Sequence, residues 1–284
     1  MADAIVAGVT GRPVRQRVAD WAAGRAAATG RDLVLVSVVG GAVGAVGEDE
    51  VLQRALDDAQ ALADGEVARL QGADLDVRTV VSHGNPTEVL IEQSADAALL
   101  VIGSDLGGEG HVRRGPHGRR IVAGAHCTVI VVPDLDLSDR RGVVVGVDGS
   151  DVSQRALEFA AAEAAASGDA LTAVSAWIPV SAGADYAMGG SVSFHPDLYL
   201  TDLQAQTERS LDELLADVRR THPDLRIETY VAEGDPGSVI NEVAATARLA
   251  VVGTHGRTGL ARLLLGSVSE HVLAELVTIT AVVR

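Results

Sequence analysis

The sequence predicts an α/β protein made of two tandem doubly wound domains, each a five-stranded parallel sheet with helices on both faces. Three observations support this prediction. The chain has 284 residues, which at about 150 residues per domain corresponds to two domains. Its two halves repeat each other, and strands alternate with helices within each half. Hydrophobic residues make up 47% but aromatic residues only 2%, so we expect cores of Val, Leu, Ile and Ala.

The internal repeat is visible in two windows that contain no gaps. A shift of 138 aligns residues 8–37 with 146–175, with 15 identities in 30 positions. A shift of 150 aligns residues 81–103 with 231–253, with 10 identities in 23 positions. The second copy therefore carries 12 extra residues, which we place in 178–200. A period of this size indicates two copies of a domain rather than a solenoid.

A polar segment separates the two copies. Residues 133–141 begin with Pro133, which ends a strand, and they divide the apolar run 129–132 from the next run at 143–147. We therefore predict domains at 1–134 and 142–284.

Elements alternate strictly in the second copy. The run at 143–147 is valine apart from Gly146, as in a strand buried on both faces. Leucines recur at helical spacing through 202–219. Alternation of this kind predicts right-handed crossovers and a parallel sheet. We predict strands at 143–147, 171–176, 227–231, 249–252 and 277–283, and helices at 152–166, 202–219, 239–247 and 268–275.

The stretch at 178–200 breaks this pattern. It is polar and rich in glycine, and it is too irregular to be assigned to a helix or a strand. Long loops of this kind are often functional or disordered, so a lid over a ligand and a plain surface loop both remain open.

Two glycine-containing loops follow strands of the second copy, at 147–150 and at 253–267. In open parallel sheets, ligands bind at the carboxyl ends of the strands. The second loop leads directly into a predicted helix, whose amino terminus offers unpaired amides to an anion. Glycine lets such amides approach a phosphate closely. Since all 23 cationic side chains are Arg, amides, hydroxyls and Arg257 or Arg262 would have to hold it.

These residues resemble the universal stress protein family. The spacing Gly253-x2-Gly256-x9-Gly266-Ser267 is similar to that family's ATP-binding motif, and so are the stretches VVVGVDGS at 143–150 and GSVSEHVL at 266–273. The resemblance covers both copies, as in the tandem form of the family. It implies the strand order 3-2-1-4-5 in each domain.

The resemblance also implies a ligand and its contacts. It implies that the second copy binds ATP or another adenine nucleotide and that the last strand mediates a homodimer. Mg²⁺ could accompany the nucleotide. Asp148 would contact the ribose, the backbone near Ala176 the adenine, and the second loop the phosphates. The predicted binding residues are Asp148, Gly149, Ser150, Ala176, Gly253, Thr254, His255, Gly256, Arg257, Gly266, Ser267, Val268 and Ser269.

The first copy departs from this motif. Thr10 stands at the position of Asp148 and Arg12 at that of Ser150. The counterparts of Gly256, Gly266 and Ser267 are Leu106, Pro116 and His117. A proline removes an amide and adds a ring. We therefore predict that the first copy does not bind ATP in the manner of the family.

Each of these residues also has a plainer interpretation. Asp148 fits a helix cap, the glycines fit ordinary turns, and Ser267 fits a cap with or without a phosphate. Trp177 suits either an adenine contact or core packing. The arginines at 113, 114, 119 and 120 fit a solvated loop better than an anion site.

Composition excludes several other functions. A formal charge of −16 repels nucleic acid, and no apolar run reaches 18 residues, so we predict neither a nucleic-acid nor a membrane partner. With no leader-like segment visible, we expect a soluble, cytoplasmic protein. The single cysteine, Cys127, suits a buried inert thiol. The eight histidines are scattered, so no protein-built metal site is predicted.

The leading hypothesis is a regulatory ATP-binding protein of the stress response, not an enzyme, since no catalytic set of side chains is evident. A slow ATPase or nucleotidyl-transfer enzyme on the same fold is an alternative. A dimeric interaction module that does not depend on nucleotide is another. A redox enzyme is least favoured, because the first turn lacks the GxGxxG fingerprint.

Overall fold

A computed structural model of the chain describes residues 3–40, 48–70, 75–104, 116–179, 196–256 and 265–284. Strands and helices alternate along the whole of it. The first half contains β1 (Ala4–Gly8), α1 (Val14–Thr29), β2 (Leu33–Val39), α2 (Glu48–Leu70), β3 (Val77–His83), α3 (Pro86–Gln93), β4 (Ala97–Gly103), α4 (Pro116–Gly124) and β5 (Thr128–Val132). The second half contains β6 (Val143–Gly146), α5 (Asp151–Ser167), β7 (Leu171–Trp177), α6 (Pro196–Thr221), β8 (Ile227–Glu233), α7 (Pro236–Ala244), β9 (Leu249–Gly253), α8 (Ser267–Glu275) and β10 (Ile279–Val283).

The strands form one ten-stranded sheet in the order β3-β2-β1-β4-β5-β10-β9-β6-β7-β8. Within each half the strands are parallel and follow the order 3-2-1-4-5, so the predicted fold class is confirmed. The two halves meet through β5 and β10, which pair antiparallel, with Ala281 opposite Ile130. The strands of one half therefore run in the opposite direction to those of the other half, and the carboxyl ends of the two sets point in opposite directions.

The core lies on both faces of this sheet. Ile5 and Ala7 of β1 belong to one apolar cluster, which also contains residues of α1, α5 and α6. Ala4 and Val6 belong to the other, which contains residues of α3, α4, α7 and α8. Both clusters extend through both domains. Aliphatic residues and alanine fill them, as the composition predicts.

Two helices begin at least three residues earlier than the sequence predicts. α7 begins at Pro236 because Asp235 caps it, accepting from the Ser238 amide at 2.9 Å, and proline at the first helical position leaves no amide without a partner. α6 begins at Pro196, so the end of the irregular stretch is helical. The rest of that stretch, 180–195, lies outside the described residues.

The cysteine lies immediately before β5 and is partly buried. Burial raises the pKa of the Cys127 thiol to about 11, so the thiol stays protonated at neutral pH and is a poor nucleophile. Among the described helices, none combines the length and the apolar character that crossing a bilayer requires.

Candidate functional site

A cavity of about 260 Å³ opens at the carboxyl ends of β6, β7 and β9. β6 is the first strand of its domain and pairs with β7 on one side and β9 on the other. The cavity therefore lies where the strand order reverses, as expected for an open parallel sheet. Its lining residues are Gly146, Val147, Asp148, Ser153, Val174, Ala176, Pro236, Ile240, Val252, Gly253, His255, Gly256, Gly266, Ser267, Val268 and Ser269.

Most of the residues proposed from the sequence line this one cavity. The two glycine-containing loops are more than 100 residues apart in the chain, and the parallel sheet brings them together. Gly149, Ser150 and Thr254 do not line the cavity but lie beside residues that do, and Arg257 falls outside the described residues. The proposed residues that line it are Asp148, Ala176, Gly253, His255, Gly256, Gly266, Ser267, Val268 and Ser269.

The Asp148 carboxylate is fixed between two loops. Its Oδ1 accepts from the Ser150 amide at 2.9 Å, and Gly149 makes the turn between them at a φ of 80°. The cap of α5 is Ser150, whose Oγ accepts from the Ser153 amide at 3.2 Å. Asp148 is therefore not the cap of this helix, and its carboxylate is positioned at the cavity wall.

The glycines of the second loop are required by close contacts and not by turn geometry. None of Gly253, Gly256 and Gly266 has a positive φ, so none of these three is needed for a left-handed backbone conformation. A Cβ on Gly256 would lie 2.6 Å from Asp148 Oδ2. One on Gly253 would lie 2.8 Å from Val152 Cγ1, and one on Gly266 would lie 3.3 Å from the Thr254 carbonyl oxygen. Gly256 therefore lies directly against the first loop, Gly253 against α5, and Gly266 against the start of its own loop.

The amino terminus of α8 faces the cavity without a capping side chain. Gly266 is the N-cap, with φ −68° and ψ 157°, and no side chain bonds the first-turn amides there. The expectation that Ser267 caps α8 is wrong, because Ser267 is already the first helical residue. α5 and α7, in contrast, are capped by Ser150 and Asp235. The first turn of α8 thus presents amides and the positive end of a helix to the cavity.

The Ser269 hydroxyl and the Thr254 backbone hold this entrance in place. The Gly266 amide donates to the Thr254 carbonyl oxygen at 2.7 Å. Ser269 Oγ lies 2.9 Å from the Gly266 carbonyl oxygen and 3.2 Å from that of Thr254. The Thr254 amide in turn donates to Val283 in β10 at 2.8 Å. Thr254 therefore supports the loop from behind the cavity.

Sequence reasoning missed the apolar wall of the cavity. Val147, Val174 and Val252 come from the strands, and Pro236 and Ile240 come from α7. Strand alternation does not show which face borders a ligand site, so the valines carried no usable signal. The signal for α7 was Asp235-Pro236-Gly237, a cap followed by proline, directly after β8.

A second cavity of about 330 Å³ lies against α6 and shares Val147, Asp148 and Ala176 with the first. Trp177 borders this second cavity and not the first, and its indole Nε1 is buried without a hydrogen-bond partner. Asp148 therefore lies between two cavities, and the indole of Trp177 borders the second of them.

The described part of the chain places two ionisable side chains in the wall of the first cavity, Asp148 and His255. His255 Nδ1 lies 3.0 Å from Thr254 Oγ1. Within the described ranges, no three His, Cys, Asp or Glu side chains are grouped so as to hold a metal ion.

Comparison with known proteins relates this chain and its fold to one family. The model of the universal stress protein family matches residues 1–133 and 140–284. Universal stress protein Rv2005c of Mycobacterium tuberculosis is 36% identical over 211 residues, covering 71% of this chain and 68% of that protein. Universal stress protein Rv2623 of the same organism is 30% identical over 282 residues, covering 94% and 92%.

The same fold occurs in a solved structure of similar size. A universal stress protein from Archaeoglobus fulgidus superposes with a TM-score of 0.73 at 14% identity, covering 100% of this chain and 99% of that one. The family model matches the chain twice, and the relatives that are 36% and 30% identical align over more than two thirds of their own length. The chain therefore belongs to the universal stress protein family and carries two of its domains in tandem.

Proposed function

We propose that the C-terminal domain binds ATP, and that the bound nucleotide sets the state of a regulatory protein of the stress response. The convergence of Asp148, the closely packed glycines and the uncapped start of α8 on one cavity carries this proposal. A cradle from which Cβ atoms are excluded, next to helix amides, suits a phosphate chain.

Each part of a nucleotide has a counterpart in the cavity. The amides of Ser267, Val268 and Ser269 would hold the phosphates, since they start α8 and line the cavity. The Asp148 carboxylate would accept hydrogen bonds from the ribose. The backbone near Ala176, with Val174 and Ile240 beside it, would receive the adenine. Mg²⁺, if bound, would come with the phosphates.

A regulatory role fits the side chains better than an enzymatic one. Among the described residues that line the cavity, there is no nucleophile, base and orienting carboxylate within hydrogen-bond reach of one another. Phosphate release above the rate without protein, lost in Asp148→Ala, would instead support the slow ATPase.

The homodimer implied by the resemblance would have to use another surface. β5 and β10 are the last strands of the two domains, and they pair with each other within the chain. The edge that would pair with a second copy is therefore occupied internally.

Thermal unfolding with and without ATP tests the proposal. Binding to the folded state alone stabilises it by roughly 2.7 kcal/mol at a hundredfold excess over Kd. We expect ATP to raise the Tm of the wild type and of Asp217→Ala, a control on the surface of α6 with a side chain 75% exposed. We expect Asp148→Ala to lose most of the shift. An unchanged Tm of the wild type at millimolar ATP would contradict the proposal.

A further inference from the structure

The first domain reaches the amino-terminal turn of α8, where the proposed function places the phosphates. Arg119 of α4 forms an ion pair with Glu270 of α8 across the domain boundary. Glu270 lies in the first turn of α8, directly after Ser269, which lines the cavity. Its amide donates to the carbonyl oxygen of Gly266, the N-cap, at 2.9 Å. A cation of one domain therefore lies beside the amino terminus of a helix in the other.

The second domain contributes to holding α4 in position. The Arg284 guanidinium, directly after β10, donates to the carbonyl oxygens of Val122 and Ala123 in the last turn of α4. A cation at a helix carboxyl terminus is favourable, because it satisfies the last carbonyls and complements the helix dipole. The Arg284 carbonyl oxygen accepts from Arg155 Nε of α5 at 2.8 Å. α4 is thus held at both ends, and Arg119 does not depend on its own domain alone for its place.

The ion pair has an electrostatic consequence for the cavity. A carboxylate in the first turn of α8 stabilises the empty helix but repels a polyanion bound at the same end. Among the described residues that line the cavity there is no arginine, the sequence contains no lysine, and the chain carries a net charge of −16. Arg119 cancels the charge of Glu270 from outside the cavity.

We propose that Arg119 is an affinity-determining residue for the nucleotide of the C-terminal domain, supplied by the N-terminal domain. It acts by neutralising Glu270 next to the phosphates, without contacting them. The inference rests on the proposed ATP site. It gives the N-terminal domain, whose own motif is altered, a role in binding at its neighbour.

Charge neutralisation and simple bracing of the interface predict different signs. Arg119→Gln leaves Glu270 uncompensated, so ATP affinity should fall about threefold at low salt. Glu270→Gln removes the repelling charge, so affinity should rise by a similar factor. The double variant replaces an ion pair, whose net charge is zero, with two uncharged glutamines. Its affinity for ATP should therefore be close to that of the wild type. If the pair only braced the domains, both single variants would weaken binding.

The experiment is a calorimetric titration of the full chain with ATP at about 20 mM and about 500 mM NaCl, the second of which screens exposed charges strongly. The control is the pair Arg78 and Asp32, on β3 and just before β2. Its side chains are 48% and 47% exposed, against 48% and 45% for Arg119 and Glu270. We expect Arg78→Gln and Asp32→Asn to leave Kd unchanged. We also expect the opposite effects of the test variants to shrink at high salt.

Each other result overturns the inference. If both single variants weaken ATP binding equally, the pair only braces the domains. If their effects on Kd are no larger than those of the control pair, the pair has no role in ATP binding. If the wild type binds ATP while the variants behave like the controls, only this inference fails. If the wild type takes up no ATP, the proposed function fails and the inference falls with it. Melting scans without ATP establish that every variant is folded.

Discussion

At the scale of single residues, the site depends on the absence of side chains. Gly256 is packed against Asp148 Oδ2 so closely that a Cβ would come within 2.6 Å, a separation that real Cβ atoms do not adopt. Carboxylate and loop therefore fix each other, and a methyl group at residue 256 must displace one of them. The glycine requirement here is steric and belongs to the contact between the two loops.

We predict that Gly256→Ala weakens ATP binding about tenfold, equivalent to about 1.4 kcal/mol, because it displaces the Asp148 carboxylate. The matched control is Gly65→Ala in α2, where a Cβ would meet nothing within 4 Å. That change should leave ATP affinity alone and raise the free energy of unfolding by up to about 1 kcal/mol. Calorimetry and urea denaturation measure the two quantities. Wild-type affinity in Gly256→Ala would show that Asp148 does not bind nucleotide.

At the scale of elements, α8 differs from α5 and α7 in how it begins. Ser150 and Asp235 supply a side-chain oxygen to the first-turn amides of their helices, whereas Gly266 supplies none. The helix still forms, since Ser269 Oγ, the Gly266 amide and the Thr254 carbonyl oxygen tie the turn to its loop. The amides of α8 are therefore left facing the cavity.

Ser267→Pro tests those amides without breaking the helix. Proline is favoured at the first helical position, and Gly266, at φ −68° and ψ 157°, has the conformation that a residue before proline adopts. We expect the Tm without ATP to change little and ATP affinity to fall about tenfold, since a hydrogen bond to a charged group contributes about 1.5–3 kcal/mol. Ser267→Ala keeps the amide and should lose less affinity. Equal losses in the two variants would assign the effect to the hydroxyl.

The sequence predicts these elements well where periodicity and caps carry the information. The strand at 249–252 and the helix at 268–275 agree with β9 and α8 to within one residue. Ser267 was misjudged because cap preference favours serine over glycine, while the bond from Gly266 to Thr254 places the helix start one residue away. The start of the predicted strand at 277 was early because Leu276 ends α8 at a φ of 41°, and β10 forms only from Ile279.

At the scale of the whole molecule, the pairing of β5 with β10 makes a single sheet of two domains. Repeat analysis could not foresee this, because comparing two copies along the chain shows that 128–132 and 279–283 are both strands but not which edges meet. The resemblance pointed to the last strand as a dimer interface. Within this chain, that strand joins the two domains.

A buried ion pair also crosses the domain boundary. Arg25 Nη2 of α1 lies 2.7 Å from Glu163 Oε1 of α5, whose side chain is 5% exposed. Burial raises the pKa of Glu163 and outweighs the lowering effect of Arg25 and Arg248. We predict that Arg25→Ala lowers the free energy of unfolding by about 3 kcal/mol at pH 7, because it leaves the buried carboxylate less compensated.

The pH dependence of that loss has a definite sign. The folded pKa of Glu163 lies above its unfolded value of about 4.3, so ionised Glu163 costs stability above its folded pKa. As pH falls from 7 through that raised pKa, Glu163 takes up a proton in the folded chain at a higher pH than in the unfolded chain. The free-energy cost of the buried carboxylate therefore declines. The difference between wild type and Arg25→Ala should therefore shrink towards about pH 4.5. The control is Arg219→Ala, which removes an exposed pair with Asp212 and should cost less than about 1 kcal/mol. A loss in Arg25→Ala that is independent of pH would contradict the assignment to Glu163.

The most direct test of the central claim is the stoichiometry of ATP binding to the full chain by titration calorimetry. The two domains share a fold, but only the second has Asp148, Gly256 and Gly266 where the first has Thr10, Leu106 and Pro116. We predict one ATP per chain, with the heat abolished by Asp148→Ala. Two equivalents per chain, or one equivalent that survives in Asp148→Ala, would contradict the account.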